Sequence, residues 1–277
     1  MNRVVAFVRL SRPHFLAGGF LMYAIGAAAA PSFDGGRYWL GQLMVTASQI
    51  TAHYANEYAD VEHDRRVVNR TVFSGGSGVL VDGALEPTVA LWAAAASTAV
   101  TVGAAGLMFG DSGWAAALGL GSLGVSWAYS MPPLRLLGRG VGELAASAVV
   151  AGAVPLIGSL AQDASPTPEL WRAVAVLIPL HVAMMLAFEL PDLMADAASG
   201  KRVLAVRIGR SRTAGLIGVL VGAAAVIAAT TSPWLIPAAV PAGAMLSSLR
   251  AERWSLVTVS AVAMFVTAGL GLLIWLI

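Results

Sequence analysis

From residue 213 to residue 249 the chain carries no Asp, Glu, Lys, Arg or His. A helix that crosses a bilayer takes about 20 apolar residues, so this run is too long for one crossing. Ser232-Pro233 interrupts it, because proline has no N–H to give and collides with the preceding turn. Two helices joined by a very tight turn is the resulting expectation. The same criterion predicts nine spans, at roughly 13–31, 38–57, 88–109, 112–131, 143–162, 170–189, 213–231, 233–250 and 255–276. Composition agrees, since 58% of residues are hydrophobic and 12% are charged, against about 25% charged in soluble domains. The expected fold class is an all-α integral membrane protein, one unit over residues 1–277. The first apolar run, from Pro13, is too long for the core of a cleavable signal peptide. The absence of Cys excludes disulfides, thiolate metal sites and a Cys nucleophile.

Charge placement tests the count. With nine spans, all of the 17 basic residues except Arg37 and Arg172 fall on the side of the N-terminus. The positive-inside rule then puts the N-terminus in the cytoplasm and the C-terminus outside. An eight-span reading would move Arg250 and Arg253 to the outer face. Basic residues confined to membrane-side loops argue against nucleic-acid binding. The long polar loops also lie on the cytoplasmic side, and a rigid scaffold commonly carries its functional loops on one face.

The chemistry concentrates at the cytoplasmic end of the second span, Thr51–Asp64. Asn56, Asp60 and Asp64 are spaced i, i+4, i+8, which on a helix keeps them within an arc of about 80°. Asp192 and Asp196 repeat the four-residue spacing at the end of the sixth span. Solvated helix ends need no such repetition. Carboxylates at a membrane boundary are costly unless a cation meets them. A hard divalent ion such as Mg²⁺ suits them, because it takes oxygen ligands and bridges to phosphate oxygens. Two clusters on the same side suggest one shared site.

Other stretches offer partners. Residues 65–86 form the longest loop; its Ser74-Gly75-Gly76-Ser77-Gly78 core offers backbone N–H groups to an anion, and its apolar rim suggests a short capping helix. Pro132-Pro133 ends the fourth span, and Tyr129 and Arg135 beside it are candidate substrate contacts. His53, one turn before Asn56, is either an acceptor base or a hydrogen-bonded helix histidine. Glu143 suits the N-terminus of the fifth span, while Glu57 and Glu62 project away from the acidic face and are candidates to pair with loop Arg. Met131, Met184, Met185, Met194, Trp127 and Phe188 are either core or the wall of an apolar tunnel. The many Gly and Ala permit close helix approach in lipid.

Carboxylates for Mg²⁺, cationic groups for phosphate and an apolar interior suit a diphosphate attached to a long hydrocarbon. Charge neutralisation on the leaving diphosphate is electrostatic transition-state stabilisation. The allylic cation left behind needs a dry, aromatic-lined chamber.

Asn56-x₃-Asp60-x₃-Asp64 followed by Asp192-x₃-Asp196 resembles the paired aspartate-rich motifs of the UbiA-type intramembrane prenyltransferase superfamily. Arg12-Pro13-His14-Phe15-Leu16, Tyr129-Ser130-x-Pro132-Pro133-x-Arg135-Leu136 and Gly200-Lys201-Arg202-x-Leu204-Ala205-Val206-Arg207-x-Gly209 are similar to that family as well. The resemblance implies nine transmembrane helices bundled around a central cavity with cytoplasmic cap loops. It implies an isoprenoid transferred from a polyprenyl diphosphate to an aromatic acceptor. It further implies that Asn56, Asp60, Asp64, Asp192 and Asp196 hold Mg²⁺-diphosphate. Arg66, Arg70, Arg135, Lys201, Arg202 and Arg12 are then candidates for phosphate contact.

Asp196–Arg202 looks closest to the naphthoate (menaquinone) branch. Glu189-Leu190-Pro191, where that branch usually has Asn and Arg, and Glu62-His63-Asp64 in the first motif depart from it. Pro191 is expected to kink the sixth span at the site. The departures would suit a membrane terpene cyclase, which ionises the diphosphate without an acceptor. A transporter is the non-enzyme alternative, but it would spread acidic residues through the membrane depth.

Overall fold

The computed structural model describes residues 2–65, 73, 75–110 and 112–277. It is helical, with no strand among the described residues. Five helices are long and apolar enough to cross a membrane: Pro87–Phe109 (α4), Gly142–Ala161, Pro168–Glu189 (α8), Arg210–Ala229 (α11) and Trp254–Leu276 (α13). The other expected spans also hold helix, at Pro13–Ala28 (α2), Gly35–Asp64 (α3), Gly113–Ser130 (α5) and Ala239–Arg250 (α12), though these do not meet the same criterion of length and apolarity.

The differences from expectation have local causes. The side chain of Asp34 accepts from Arg37 N at 2.8 Å and caps α3, satisfying a donor that the helix itself cannot. α3 runs on past the apolar part of the span, which ends at residue 57, to Asp64, so Asn56, Asp60 and Asp64 share one helix as their spacing implies. The break at Ser232-Pro233 is real: α11 stops at Ala229, and a 3₁₀ turn over Pro233–Ala238 precedes α12. The segment Gly142–Ala161 divides into α6 (Gly142–Ser147), a π turn (Ala148–Ala153) and α7 (Val154–Ala161). Pro155 lacks the N–H for a regular bond to the preceding turn, and a widened turn accommodates that loss.

Pro191 does more than kink the sixth span. α8 ends at Glu189, and Asp192 becomes the N-cap of a separate short helix, α9 (Leu193–Ala198). A second short helix, α10 (Leu204–Ile208), follows. At the start of the chain, α1 (Arg3–Leu10) is capped by Asn2 and buries Ala6 and Leu10 while Val4 and Val8 stay exposed. The sequence reading passed over it because it is too short and too charged to be a span.

In lipid, apolar burial does not drive helices together, so contact depends on how closely backbones approach. α2 and α7 show this most clearly: a Cβ on Gly26 would run into the Pro155 carbonyl, and one on Gly158 into that of Tyr23. Large side chains such as Trp92, Leu107, Val226 and Val240 point outward, as a lipid-facing surface requires. The buried core joins residues from α2, α3, α4, α5, α8, α11 and α13.

Candidate functional site

A cavity of about 510 Å³ runs into the bundle from the end where α3, α8 and α9 meet. Asn56, Asp60, Asp64, Asp192 and Asp196 all line it, as do Arg12, His53, Tyr129 and Lys201. Its deeper wall is apolar and includes Val149, Val150, Met184, Met185 and Phe265.

The acidic side chains are held by a polar network. Asn56 Nδ2 donates to Asp60 Oδ2 at 2.9 Å and to Ser130 Oγ at 3.0 Å, so the first motif is tied to the end of α5. Lys201 Nζ donates to the same Asp60 oxygen at 2.8 Å. Gly200, with φ +79°, ends α9, and Lys201 N then donates to Asp196 O at 3.0 Å. That turn returns Lys201 towards α3. His63 bridges the two motifs, with Nε2 3.0 Å from Asp196 Oδ1 and Nδ1 2.8 Å from Ser199 Oγ. Sequence reasoning missed His63, because its neighbours in the motif are acidic and its partner lies far along the chain.

Glu57, expected off the acidic face with a loop Arg as its partner, is buried. It pairs with Arg12, whose Nε donates to Oε1 at 2.6 Å. Ser77 N and Ser77 Oγ each donate to its carboxylate at 2.7 Å. One carboxylate thus joins α3, the Arg12 corner ahead of α2, and the glycine loop. Gly76, at φ +75°, packs against the Asp64 carboxylate where any side chain would collide with it. Glu62, by contrast, is exposed and pairs with Arg65.

Other expected residues fall in different places. Arg135 is exposed and lines an adjoining, more open cavity of about 460 Å³ with Arg139, Tyr129 and Lys201. Arg202 is exposed and lines neither cavity. Arg66, Arg70 and Ser74, with most of the expected capping helix, lie outside the described residues. His53 Nδ1 is 2.8 Å from Ser11 O, to which it donates, so it is a hydrogen-bonded helix histidine that also faces the cavity. Trp127 and Met194 do not line the cavity: Trp127 Nε1 donates to Thr98 Oγ1 at 2.9 Å, and Met194 is exposed. Glu143 does lie in the first turn of its helix, as expected, and its Oε1 also accepts from Leu204 N at 2.9 Å.

Aromatic rings cluster at the cavity beside the acidic groups. Phe73 and Phe188 stack with centroids 5.6 Å apart, and Phe15 lies edge-on to both. His14 and His53 flank Phe15. Ring faces stabilise a nearby cation, and the rings also exclude water.

Among the described residues no three acidic or histidine side chains already converge as a metal cage. The donor set still fits a hard divalent cation. It consists of oxygen ligands from two elements facing one cavity, and Asp192 Oδ1 is buried without a hydrogen-bond partner. Burial, reinforced by the charge of Asp60, pushes the Asp64 carboxyl up to about 6. Burial and then Asp196 do the same to Asp192, also to about 6. Both residues lie past the apolar parts of their spans. A carboxylate set short of positive charge is what a bound cation would complete.

The chain is similar to known proteins over most of its length. The chain is 27% identical, over an alignment of 289 residues, to a 1,4-dihydroxy-2-naphthoate octaprenyltransferase of Mycobacterium tuberculosis (strain ATCC 25618 / H37Rv), covering 99% of this chain and 95% of that one. It is 24% identical over 241 residues to the protein of the same name from Bacillus subtilis (strain 168), covering 82% and 75%. In fold it is similar to a UbiA homolog from Aeropyrum pernix K1, with a TM-score of 0.74, 17% identity and coverage of 95% and 98%. It is also similar to a UbiA homolog from Archaeoglobus fulgidus bound to GPP and Mg²⁺, with a TM-score of 0.67, 15% identity and 96% of both chains covered. The profile of the UbiA prenyltransferase family matches residues 16–277. The chain is an integral membrane protein and a member of the UbiA prenyltransferase family.

Proposed function

We propose that this chain is a Mg²⁺-dependent prenyltransferase that moves an isoprenoid from a polyprenyl diphosphate to an aromatic acceptor of the hydroxynaphthoate type. One observation carries the reading: five oxygen-bearing side chains from two separate elements line a single cavity whose deeper wall is apolar. Such a cavity suits an amphiphile with a polyanionic head and a hydrocarbon tail. The names of the two naphthoate octaprenyltransferases and of the GPP-bound and Mg²⁺-bound homolog support the substrate class.

In this reading the chain crosses the membrane nine times as a single unit, with the N-terminus and the acidic end of the cavity in the cytoplasm. Asn56, Asp60, Asp64, Asp192 and Asp196 hold the cation. When bound, Mg²⁺ neutralises diphosphate charge and so favours its departure. Lys201 and Arg12 present positive charge to the diphosphate oxygens. Tyr129 faces the same space, at the junction with the more open cavity that holds Arg135. Phe15, Phe73 and Phe188 exclude water beside the reacting end and face the developing allylic cation.

The test is diphosphate release by membranes containing the protein, supplied with geranylgeranyl diphosphate and Mg²⁺, with and without 1,4-dihydroxy-2-naphthoate. Asp60→Ala membranes are the control, and products are read by mass spectrometry. A prenylated naphthoate formed only with the acceptor supports the proposal. Release with a cyclic product and no acceptor would replace it with a terpene cyclase. An Asp192→Ala variant of full activity would remove the two-motif site.

A further inference from the structure

One histidine in the apolar half of the cavity is used neither by the proposed cation nor by the diphosphate. His181, inside α8, is 4% exposed and lines the cavity. Met184, Met185 and Phe188 line it as well, since positions three, four and seven apart share one helix face. His181 therefore lies about 10 Å along the axis of α8 from Phe188, on the side away from the acidic end. Ser147, the last residue of α6 before the π turn, meets it. Ser147 Oγ is 2.8 Å from His181 Nδ1 and donates its own proton to Glu143 O at 2.7 Å. A hydroxyl has one proton to give, so His181 Nδ1 is the donor in the bond between the two side chains. The neutral imidazole then carries its lone pair on Nε2.

Nε2 makes no hydrogen bond to any described residue. The ring itself is held, with Phe265 edge-on to it at a centroid distance of 5.0 Å. Hydroxyls elsewhere in the cavity wall are already spent: Thr101 donates to Ser97 O, Ser122 to Leu118 O and Ser126 to Ser122 O. A lone pair turned into an apolar chamber is costly until a donor meets it. An isoprenoid tail has no donor, and a Mg²⁺-diphosphate head offers only acceptor oxygens. A hydroxyl on the aromatic acceptor supplies what is lacking. The space between His181 and Phe188 is about the length of a fused two-ring aromatic. The π turn that follows Ser147 adds Val149 and Val150 to the wall there, and such turns recur at functional sites.

We propose that His181 determines specificity for the acceptor: its Nε2 receives a hydrogen bond from a hydroxyl of the aromatic acceptor, which lies in the apolar chamber with its reacting carbon towards Phe188. The inference deepens the prenyltransferase reading above and rests on it. Ser147 is a positioning residue, because its bond keeps the proton on Nδ1 and the lone pair in the cavity. No proton passes to His181. The bond selects a hydroxylated ring over a bare ring of the same shape, since a site built to pair with a hydroxyl is left unpaired when the hydroxyl is missing. In a 1,4-dihydroxy-2-naphthoate the 1-hydroxyl bonds internally to the neighbouring carboxylate, so the 4-hydroxyl is the donor free to reach Nε2.

Two variants separate the two nitrogens. His181→Asn keeps a donor near Nδ1 for Ser147 but has no atom at Nε2. His181→Gln places an amide oxygen near Nε2 and gives up the bond to Ser147. Purified full-length protein is titrated calorimetrically with 1,4-dihydroxy-2-naphthoate and with 1-hydroxy-2-naphthoate, which lacks the 4-hydroxyl. Membranes are assayed for prenyl transfer to the dihydroxy compound. His181→Asn should raise the acceptor Kd and KM about 10-fold with little change in kcat. His181→Gln should recover most of that affinity while melting at a lower temperature. Binding of inorganic diphosphate with Mg²⁺ and the KM for the prenyl donor should stay at the wild-type values in both. A histidine that only packs would give the opposite order, with Asn close to wild type in acceptor affinity and Gln impaired. The wild type should bind 1-hydroxy-2-naphthoate about 10-fold more weakly than the dihydroxy compound, and His181→Asn should bind the two alike. Equal wild-type affinity for the two naphthoates, which requires no variant to fold, would overturn this inference and leave the prenyltransferase reading intact. So would a His181→Asn protein that still tells them apart. A wild-type protein that never transfers prenyl groups to an aromatic acceptor would overturn both.

Discussion

Lys201 Nζ lies 2.8 Å from Asp60 Oδ2, across 141 residues of sequence. The contact holds the segment after α9 against α3, and so brings the second acidic motif to the first. Both side chains are largely buried, at 19% and 16% exposure. A hydrogen bond between charged groups in such a setting contributes about 1.5–3 kcal/mol.

Lys201→Met should therefore do two things. The melting temperature should fall, because Asp60 keeps only its bond from Asn56. The apparent affinity for the prenyl diphosphate should fall about 10- to 100-fold, since about 1.4 kcal/mol corresponds to a factor of ten. Steady-state kinetics against donor concentration, beside a thermal melt, measure both. Unchanged donor KM with a lowered melting temperature would make Lys201 purely structural.

The carboxyls of Asp64 and Asp192 sit at about 6 where the ordinary value is 3.8. The sign follows from proton counts. Between the two values the folded protein holds more protons than the unfolded chain, so these groups favour folding fully below about 3.8 and lose that contribution as pH rises through about 6. A divalent cation needs the deprotonated forms. Without Mg²⁺ the melting temperature should drop as pH goes from about 5 to about 7. The increment added by Mg²⁺ should grow over the same interval. Thermal melts at several pH values with Mg²⁺ or a chelator test this, and an increment independent of pH would contradict it.

What could be read from the sequence, and what could not, divides along physical lines. The four-residue spacing of Asn56, Asp60 and Asp64 and of Asp192 and Asp196 is a property of one helix turn, so their common facing was legible before any tertiary contact was known. So was the break at Ser232-Pro233, because proline acts on its own backbone. Partners from distant segments were not legible. Glu57 was expected off the acidic face with a loop Arg as partner, but that the Arg is Arg12 and that Ser77 joins it is decided only by the fold. His63 bonds to Ser199, 136 residues away. Pro191 was expected to bend a helix and instead ends it, which puts Asp192 at a helix start. Arg202 shows the converse: it follows Lys201 in sequence, yet the turn that carries Lys201 inward leaves Arg202 outside.

Glu57 makes a separate prediction. Its carboxylate holds the glycine loop through Ser77 N and Ser77 Oγ, and holds the start of α2 through Arg12. Glu57→Ala removes an acceptor from three donors and leaves a buried guanidinium short of its counter-charge. Breaking a buried pair from one side costs about 3–5 kcal/mol, so a marked fall in melting temperature is expected. Glu57→Gln keeps an oxygen for Ser77 but not the charge, so it should recover part of that stability. The KM for the donor should rise in both. Equal stability of the Gln and Ala variants would show that the hydrogen bonds from Ser77 contribute nothing.

Gly76 offers the sharpest test of how the loop and the acidic site fit together. Its φ of +75° belongs to the left-handed region, where a Cβ costs about 1–2 kcal/mol. A Cβ there would also drive into the Asp64 carboxylate. Gly83 provides the control, since it has a φ of +67° but open space around its Cβ position. Gly83→Ala should lower the melting temperature by the backbone strain alone and leave donor kinetics as they are. Gly76→Ala carries the same strain and in addition displaces Asp64, so it should weaken Mg²⁺-dependent diphosphate binding as well. The two variants are compared by thermal melt and by titration with inorganic diphosphate in the presence of Mg²⁺. If both lose the same stability and neither loses binding, the Asp64 carboxylate has room to move and its position against the glycine loop does not matter for the cation.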